Sequence, residues 1–433
     1  SGRDRIGRTA ASSLGCPPSS STATSDPGTS GASGISRCAC TTPSGTTTCR
    51  TCHSRRTGRC SPPKDKIGDW LEFYTRVMEV PYWPKKTTCL SATFDETAQQ
   101  WTVEVDRDGE RLTLHPTQLV LATGMSGKPP HVPVLPGQDI FRGDQHHSSA
   151  HPPGPPDPYV GNKAVVIGSN NSAHDICKAL YENGVDVTMV QRSSTHIVKS
   201  ESLMDIGLGD LYSERALAAG MTTEKADLTF ASLPYRIMHE FQIPLYDQMR
   251  ERDKEFYARL EAAGFELDWG GADGSGLFMK YLRRGSGYYI DVGACELVAD
   301  GRIKLAHGQV DRLTENSVVL ADGTELPADV VVYATGYGSM NGWAAELIGQ
   351  EVADKVGKVW GGLGSDTPKD PRPLGGRAAQ HVEAHPTGES LVPRGGNLHQ
   401  SRHYSLYLAL QLKARYEGIP TPVYGLQEVH HLS

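Results

Sequence analysis

The sequence predicts an α/β fold in which one domain is inserted into another, and two observations carry that prediction. Residues 163–192 read without a break as a strand, a glycine turn, a helix and a second strand, which is the pattern of a βαβ unit. Two apolar runs, residues 119–124 and 330–337, both contain the triplet Ala-Thr-Gly and stand on either side of that unit. Because glycine lets the backbone bend or pass close to a ligand, we expect the chain to leave an outer domain at one triplet and return to it at the other. The alternative is two unrelated buried strands that end in small residues.

Composition limits the classes of function. The chain has 433 residues, of which 38% are hydrophobic and 21% charged, and this is enough for two domains with their own cores. A formal net charge of −7 gives no electrostatic surface for nucleic acid or for an anionic membrane. The chain has no apolar run of membrane-spanning length and no charged-then-apolar leader. We therefore expect a cytoplasmic protein that acts on small molecules.

Residues 1–62 differ from the rest, because Ser, Thr, Gly, Pro, Arg and Cys dominate them and large apolar residues are almost absent. Such a segment cannot bury enough surface to offset its ordering entropy, so it is predicted to be disordered. Six of the nine cysteines lie here: Cys16, Cys38, Cys40, Cys49, Cys52 and Cys60. The C-x-x-C-H that starts at Cys49 is typical of haem attachment, and the cysteines also permit a zinc site or a redox pair. Because the context for each is missing, we predict no metal site.

From residue 63 the composition becomes globular. Residues 63–80 predict an amphipathic helix whose apolar stripe is made of Ile67, Trp70, Leu71, Tyr74 and Met78. Short alternating segments around residues 102–105 and 111–115, separated by an Asp-Gly turn, predict a small antiparallel meander that leads into the strand at 119–124.

The βαβ unit is the clearest local signal. Residues 164–167 are an apolar run suited to a buried strand, Gly168 is placed for the sharp turn, and residues 172–181 have helical spacing. Gly184 is placed as the C-cap, and residues 185–190 predict the next strand. A helix that begins at such a turn presents its first amides to a pyrophosphate. The alternative is a helix start whose polar residues serve only as caps.

Six residues of this turn are candidates to bind a dinucleotide: Gly168, Ser169, Asn170, Asn171, Ser172 and Ala173. The turn departs from G-x-G-x-x-G because Asn170 and Ala173 hold the second and third glycine positions. A side chain at Asn170 restricts approach to phosphate, although Asn tolerates positive φ better than most residues. At the end of the second strand, Arg192 stands where NAD-binding units usually carry an acid, so NADP is favoured.

The remaining elements are predicted from periodicity. Residues 193–286 are predicted to be helical, with one clear helix over 244–265. Strands are predicted at 303–306, 318–321 and 330–333, and a final helix at 404–416.

Three further stretches resemble one family. Residues 141–148 match F-x-G-x-x-x-H-S, residues 168–175 look like an NADPH turn, and residues 334–337 are similar to a C-terminal ATGY. With the ATG at 122–124, these ordered motifs resemble those of the flavin-containing monooxygenases, in particular the group that includes plant and fungal members. The resemblance covers about residues 63–374 and 395–433.

The resemblance implies two nested Rossmann-like dinucleotide-binding domains. An NADPH-binding domain at 158–325 is inserted into an FAD-binding domain formed by 63–157 and 326–433, whose last helix packs near the flavin. The residues expected near the flavin are Thr123, Gly124, Thr335 and Gly336. The implied reaction uses FAD, NADPH and O2, and passes one oxygen atom from a flavin C4a-hydroperoxide to a soft nucleophile or carbonyl of a small organic substrate. No general acid or base is predicted.

The family opens with a strand and G-x-G-x-x-G that hold the ADP half of FAD, and residues 1–62 contain neither. Fungal relatives carry a stretch resembling HDPVWYDHLP soon after that turn. A GC-rich coding sequence for it, read two bases earlier, encodes residues 40–49 of this chain. Our hypothesis is that residues 1 to about 62, and about 375–394, are translated out of frame, which leaves the FAD-binding domain incomplete at its N-terminus. Sequencing the transcript across both regions tests this.

Two alternative functions stay open. A chain without its FAD turn could be a non-catalytic NADP-binding remnant. A flavin-dependent disulfide or ferredoxin reductase would also have nested nucleotide domains, but it should carry a redox cysteine pair, and Cys177 and Cys295 are isolated in the sequence.

Overall fold

The computed structural model describes residues 64–83, 87–123, 130–152, 158–338, 342–356, 391–393 and 398–420. The predictions about residues 1–62, Gly124 and residues 375–390 lie outside these ranges. The strands are β1 (Thr87–Asp95), β2 (Gln100–Arg107), β3 (Glu110–Leu114), β4 (Leu119–Leu121), β5 (Asp144–His147), β6 (Lys163–Ile167), β7 (Asp186–Gln191), β8 (Thr195–Lys199), β9 (Leu267–Asp268), β10 (Tyr288–Asp291), β11 (Lys304–His307), β12 (Val310–Leu313), β13 (Ser317–Leu320), β14 (Glu325–Pro327), β15 (Val330–Tyr333) and β16 (Leu391–Pro393).

The helices alternate with these strands, and a 3-10 turn (Ser148–Ala150) and a π-helical turn (Leu203–Gly207) accompany them. The α-helices are α1 (Lys64–Val77), α2 (Asn171–Glu182), α3 (Ser200–Ser202), α4 (Gly209–Tyr212), α5 (Glu214–Ala218), α6 (Thr223–Ser232), α7 (Tyr235–Arg252), α8 (Lys254–Ala262), α9 (Gly276–Arg284), α10 (Ala294–Ala299), α11 (Gly342–Leu347), α12 (Gln350–Val356) and α13 (Leu398–Tyr416).

A five-stranded parallel sheet, in the order β11-β7-β6-β15-β5, is the centre of the inserted part. Successive residues of its central strands enter different cores. Val166 and Val332 pack with helix α2 on one face, whereas Val165 and Val331 pack with the antiparallel sheet β12-β13-β14 on the other. Both faces are covered, which explains why these strands read as continuous apolar runs rather than as alternating ones.

This sheet extends beyond the predicted NADPH-binding span, 158–325, at both ends. Strand β15 at 330–333 pairs with β6 on one side and with β5 at 144–147 on the other. The segments that flank the predicted span therefore supply two of the five strands.

The outer part contains the predicted meander. Strands β1, β2 and β3 form an antiparallel sheet in chain order. Trp101 and Val103 of β2 are buried against helices α11 and α12. Strand β4 pairs in parallel with β16, so the short strand at 391–393 is the neighbour of the one that precedes the first Ala-Thr-Gly.

The prediction of a helical segment at 193–286 was wrong in two places, at β8 and at the two-residue strand β9. Thr195–Lys199 is a strand, and with β9 and β10 it forms a parallel three-stranded sheet in the order β10-β8-β9. Its first four residues are all buried and three of them, Thr195, Ile197 and Val198, are β-branched, which favours a strand covered on both faces. The strand is too short for its periodicity to distinguish it from a buried helix turn.

The single helix predicted at 244–265 is two helices. Helix α7 begins nine residues earlier, at Tyr235, contains Pro244 and ends at Arg252. Asp253 leaves helical geometry, with φ −103° and ψ 18°, and α8 starts directly after it. A proline inside a helix lacks the N–H for its intrahelical bond but does not always end the helix.

A buried ion pair joins the C-terminal helix to the segment between β8 and β9. Arg402 on α13 donates from Nε to Asp227 Oδ2 at 2.8 Å and from its terminal nitrogen to Oδ1 at 2.6 Å. Asp227 lies on α6, and its Oδ1 also accepts the Tyr212 hydroxyl at 3.0 Å. The side chains of Asp227 and Arg402 are 1% and 6% exposed. Two parts of the chain 175 residues apart are thus held by a two-pronged, charge-assisted contact.

We expect the fold to lose stability on mild acidification, because burial lowers the pKa of four histidines to about 4. These histidines are His151, His174, His196 and His399. They stay neutral in the fold, whereas in the unfolded chain they take up protons near their ordinary pKa of 6.5, so protons favour unfolding as the pH falls through 6.5.

Linkage gives a loss of roughly 3 kcal/mol in the free energy of unfolding for the four groups together between pH 7.5 and 6.0. Urea titrations at the two pH values measure it. An unfolding free energy that is equal or higher at pH 6.0 would contradict neutral burial of these imidazoles.

Candidate functional site

The strand order predicts a ligand-binding crevice at the carboxyl end of the five-stranded sheet. From β6 the chain crosses through α2 to β7 on one side, while β15 lies on the other side of β6. The carboxyl ends of the neighbouring strands β6 and β15 therefore form a topological switch point, where ligands of open α/β sheets bind. Gly168 follows β6 and Ala334 follows β15, so the predicted glycine turn lies at this point.

Gly168 has the backbone geometry that only glycine adopts without strain. Its φ is +128°, and its N–H donates to Val190 O at 2.9 Å. An added Cβ would stand 2.5 Å from the carbonyl oxygen of Ala334. The ends of β6 and β15 approach each other too closely for any side chain here.

The N-terminus of α2 is open to an anion. Asn170, the N-cap, has φ −98° and ψ −166° and makes no side-chain capping bond, and the first turn contains no acid. Its amides thus retain donors for a phosphate group. The positive φ that we invoked for Asn170 is wrong, because its backbone is extended. Ala173 is fully buried, as the third position of the turn requires for close packing of helix on strand.

Two side chains predicted to contact a coenzyme are already bonded within the protein. Ser169 Oγ lies 2.7 Å from Thr195 Oγ1 on β8, and Asn171 Oδ1 accepts the N–H of Ile290 on β10 at 3.2 Å. The turn is thereby braced against the small β10-β8-β9 sheet. Ser172 is exposed and does not share in this bracing. The backbone amides, more than these side chains, remain for a ligand.

Gln191, the last residue of β7, and Arg192, which follows it, have different roles. Gln191 is buried, and its amide both donates to Glu266 O and accepts from Glu266 N, each at 2.9 Å. Arg192 is exposed, and no other side chain in the described ranges pairs with its guanidinium. Of the two, only Arg192 is available to an anionic group.

The two connections between the outer and inserted parts pair with each other. Pro130 and Tyr337 form an antiparallel bridge, and His131 N–H donates to Gly336 O at 2.9 Å. The Thr335 hydroxyl donates to the carbonyl of His131. Residues 335 and 336 therefore lie beside the segment that follows the first Ala-Thr-Gly, at the carboxyl edge of β15.

His147 at the end of β5 holds this connection from the other side. Its Nε2 lies 3.0 Å from Gly336 O, and its ring stands edge-on to that of Tyr337 with centroids 5.0 Å apart. Burial lowers the pKa of the His147 imidazole, which therefore favours the neutral form. We did not predict this role, although the F-x-G-x-x-x-H-S motif contains the residue.

Most of the residues predicted to bind a cofactor lie at one edge of the five-stranded sheet. The turn at 168–173, Arg192, Thr335 and Gly336 all follow strands of the five-stranded sheet at its carboxyl end. Thr123 follows β4, which pairs with β16 in a different sheet, and it is half-buried. Gly124 lies outside the described residues.

No redox cysteine pair is formed by Cys177 and Cys295. Both thiols are free and fully buried, and burial raises the pKa of each well above its ordinary value, so they remain protonated. Within the described part of the chain, no group of three or more His, Cys, Asp or Glu residues is arranged to hold a metal ion. No helix in those ranges is both long and apolar enough to cross a membrane, and the compartment stays a prediction.

Known proteins are similar to this chain in sequence and in fold. The family model described as pyridine nucleotide-disulphide oxidoreductase matches residues 61–245. Indole-3-pyruvate monooxygenase YUCCA1 from Oryza sativa subsp. japonica is 28% identical over 300 residues, which are 68% of this chain and 65% of that protein. These matches support the predicted resemblance to the flavin-containing monooxygenases. A second relative, probable indole-3-pyruvate monooxygenase YUCCA10 from Arabidopsis thaliana, is 26% identical over 58% of this chain and 57% of its own. The chain thus spans somewhat less than two thirds of the length of these two relatives.

Solved structures confirm the predicted α/β fold class. An ε-caprolactone-bound cyclohexanone monooxygenase superposes with a TM-score of 0.59 at 16% identity, over 90% of this chain and 81% of that one. Cyclohexanone monooxygenase from Rhodococcus sp. Phi1 bound to NADP+ gives 0.59 at 15% identity, over 92% and 80%. At such identities the likeness concerns the fold alone.

Proposed function

We propose that the chain is a monooxygenase that uses FAD and NADPH to transfer one atom of O2 to a soft nucleophile or carbonyl of a small organic substrate. The observation that carries the proposal is the crevice between β6 and β15, which combines a glycine turn, an uncapped helix start and a free arginine. Bound flavin and NADPH would supply the hydride transfer and the activation of O2. Similarity in sequence to monooxygenases supports the same reaction class.

In this scheme the chain's own residues hold and orient the coenzyme and the flavin. The amides at the start of α2 would bind a pyrophosphate, and the absence of a side chain at Gly168 lets backbone approach it. Arg192 would pair with the 2′-phosphate of NADPH. Thr123, Gly124, Thr335 and Gly336 would stand near the flavin. His147, through Gly336 O, would fix the connection that passes beside it.

The visible spectrum of the purified chain tests the proposal. Flavin bands, together with NADPH oxidation that consumes O2 in step with product, are the expected result. NADP+ binding without flavin bands would instead indicate an NADP-binding remnant. Rapid NADPH oxidation with an artificial acceptor and no oxygen insertion would indicate a reductase.

Arg192→Ala should weaken the use of NADPH while the use of NADH is unchanged. Loss of a charge-assisted contact to the 2′-phosphate predicts a rise of about tenfold or more in the KM for NADPH. Steady-state kinetics with both coenzymes measure it. Arg312→Ala, which removes an exposed arginine on β12, is the matched control and should leave both values unaltered. A KM for NADPH unaffected by Arg192→Ala would remove the 2′-phosphate role.

A further inference from the structure

Glu266 is held at the carboxyl ends of β7 and β11 by its main chain. The side chain of Gln191, the last residue of β7, bonds both its N–H and its carbonyl at 2.9 Å. The same carbonyl accepts the N–H of Thr195 at 3.0 Å. His307, the last residue of β11, is the strand partner of Gln191, and its Nδ1 lies 3.8 Å from Glu266 Oε1. Three contacts therefore place this backbone next to the last residue of β7.

The carboxylate itself is not fixed. Its side chain is 56% exposed, and the separation from His307 is too long for a hydrogen bond. A rigid backbone thus presents a solvated carboxylate that can turn toward a ligand at this edge.

This edge is where the adenosine half of a dinucleotide is expected. The pyrophosphate would lie over Gly168 at the end of β6, and β7 and β11 follow on the side away from β15. In βαβ units the end of the second strand contacts the adenosine ribose. Here two opposite charges belong to that position: Arg192, which directly follows Gln191, and Glu266, which Gln191 holds.

The two charges favour different coenzymes. A carboxylate accepts hydrogen bonds from the ribose hydroxyls of NAD and repels the 2′-phosphate of NADP, whereas a guanidinium binds that phosphate. The usual acid of NAD-binding units is missing from the end of β7, where Gln191 and Arg192 stand. Glu266 brings a carboxylate back to the same place from a distant part of the chain.

We propose that Glu266 is a specificity-determining residue that weakens the preference for NADP imposed by Arg192, so that the site also accepts the coenzyme with a free 2′-hydroxyl. The inference rests on the proposed function, because it assumes that a dinucleotide binds at this crevice. The inference goes beyond the proposed function because it names the residue that limits discrimination between the two coenzymes.

Coenzyme binding to the full chain tests this proposal without any need for turnover. Dissociation constants for NADP+ and NAD+ are measured by titration calorimetry for the unaltered chain and for Glu266→Gln, which removes the charge and keeps the size. We expect NADP+ to bind three- to tenfold more tightly and NAD+ equally or up to threefold less tightly. The gain for NADP+ should shrink at 0.5 M salt, since screening weakens a repulsion between exposed charges.

Glu110→Gln on β3 is the matched control, because it removes an exposed carboxylate from the outer meander. It should leave the ratio of the two dissociation constants unchanged. If Glu266→Gln binds NADP+ but leaves that ratio as it was, the specificity role is overturned while the proposed function stands. If neither coenzyme binds the unaltered chain, both are overturned.

Discussion

Gly168→Ala is expected to destabilise the fold by about 3 kcal/mol or more and to abolish measurable NADP+ binding. The new Cβ would stand 2.5 Å from a main-chain oxygen, that of Ala334, and a backbone atom cannot rotate away as a side chain can. Strands β6 and β15 would have to separate at the crevice where the coenzyme is expected. The residue would also have a φ of +128°, which adds strain of about 1–3 kcal/mol.

A second glycine distinguishes the effect of the close approach between Cβ and the main chain from the effect of the backbone strain. Gly308 also has a φ of +128°, but an added Cβ there would meet only the Leu320 side chain at 3.9 Å, an ordinary contact. Denaturant unfolding of Gly168→Ala and Gly308→Ala should therefore differ, with the first clearly less stable. Equal losses of stability would show that the approach of the two strands imposes no extra restriction at Gly168.

Arg402→Met is expected to lower the free energy of unfolding by about 3–5 kcal/mol, because it leaves the Asp227 carboxylate buried without its counter-charge. The Tyr212 hydroxyl can still donate to it, but one neutral donor does not replace two charge-assisted bonds. The loss should appear as a lower denaturant midpoint, and helices α6 and α13 should exchange their amide hydrogens faster.

The double variant Asp227→Asn with Arg402→Met removes both charges and should recover part of that loss. Arg250→Met is the exposed comparison: its partner Asp247 is 54% exposed, and the change should cost at most about 1 kcal/mol. A loss for Arg402→Met as small as that for Arg250→Met would mean that the buried pair adds nothing beyond a surface contact.

The βαβ unit could be predicted because its signals are local. The apolar run before Gly168 and the positive φ that its turn requires are properties of a few consecutive residues, and the structure has both. Strand β8 was missed for the opposite reason. What makes residues 195–199 a strand is the pairing with residues 288–291, about ninety positions further along, which no local pattern contains.

The candidate site shows the same limit. Gly168, Arg192 and Thr335 each follow a predicted strand, and this was enough to predict that they lie at one edge of the sheet. It could not reveal that Ser169 and Asn171 are bonded to β8 and β10, since those partners are 26 and 119 residues away. Short polar side chains look alike in sequence whether they face a ligand or the protein's own backbone.

The position of β15 governs when this protein can fold during its synthesis. That strand stands between β6 and β5, yet it is the last of the five to be translated, because it begins 167 residues after β6 begins. A nascent chain that has not yet emerged past residue 333 therefore presents the unpaired edges of β5 and of the apolar strand β6 to its surroundings. We expect chaperones to engage that stage, and premature termination before residue 330 to yield aggregates rather than a smaller folded unit.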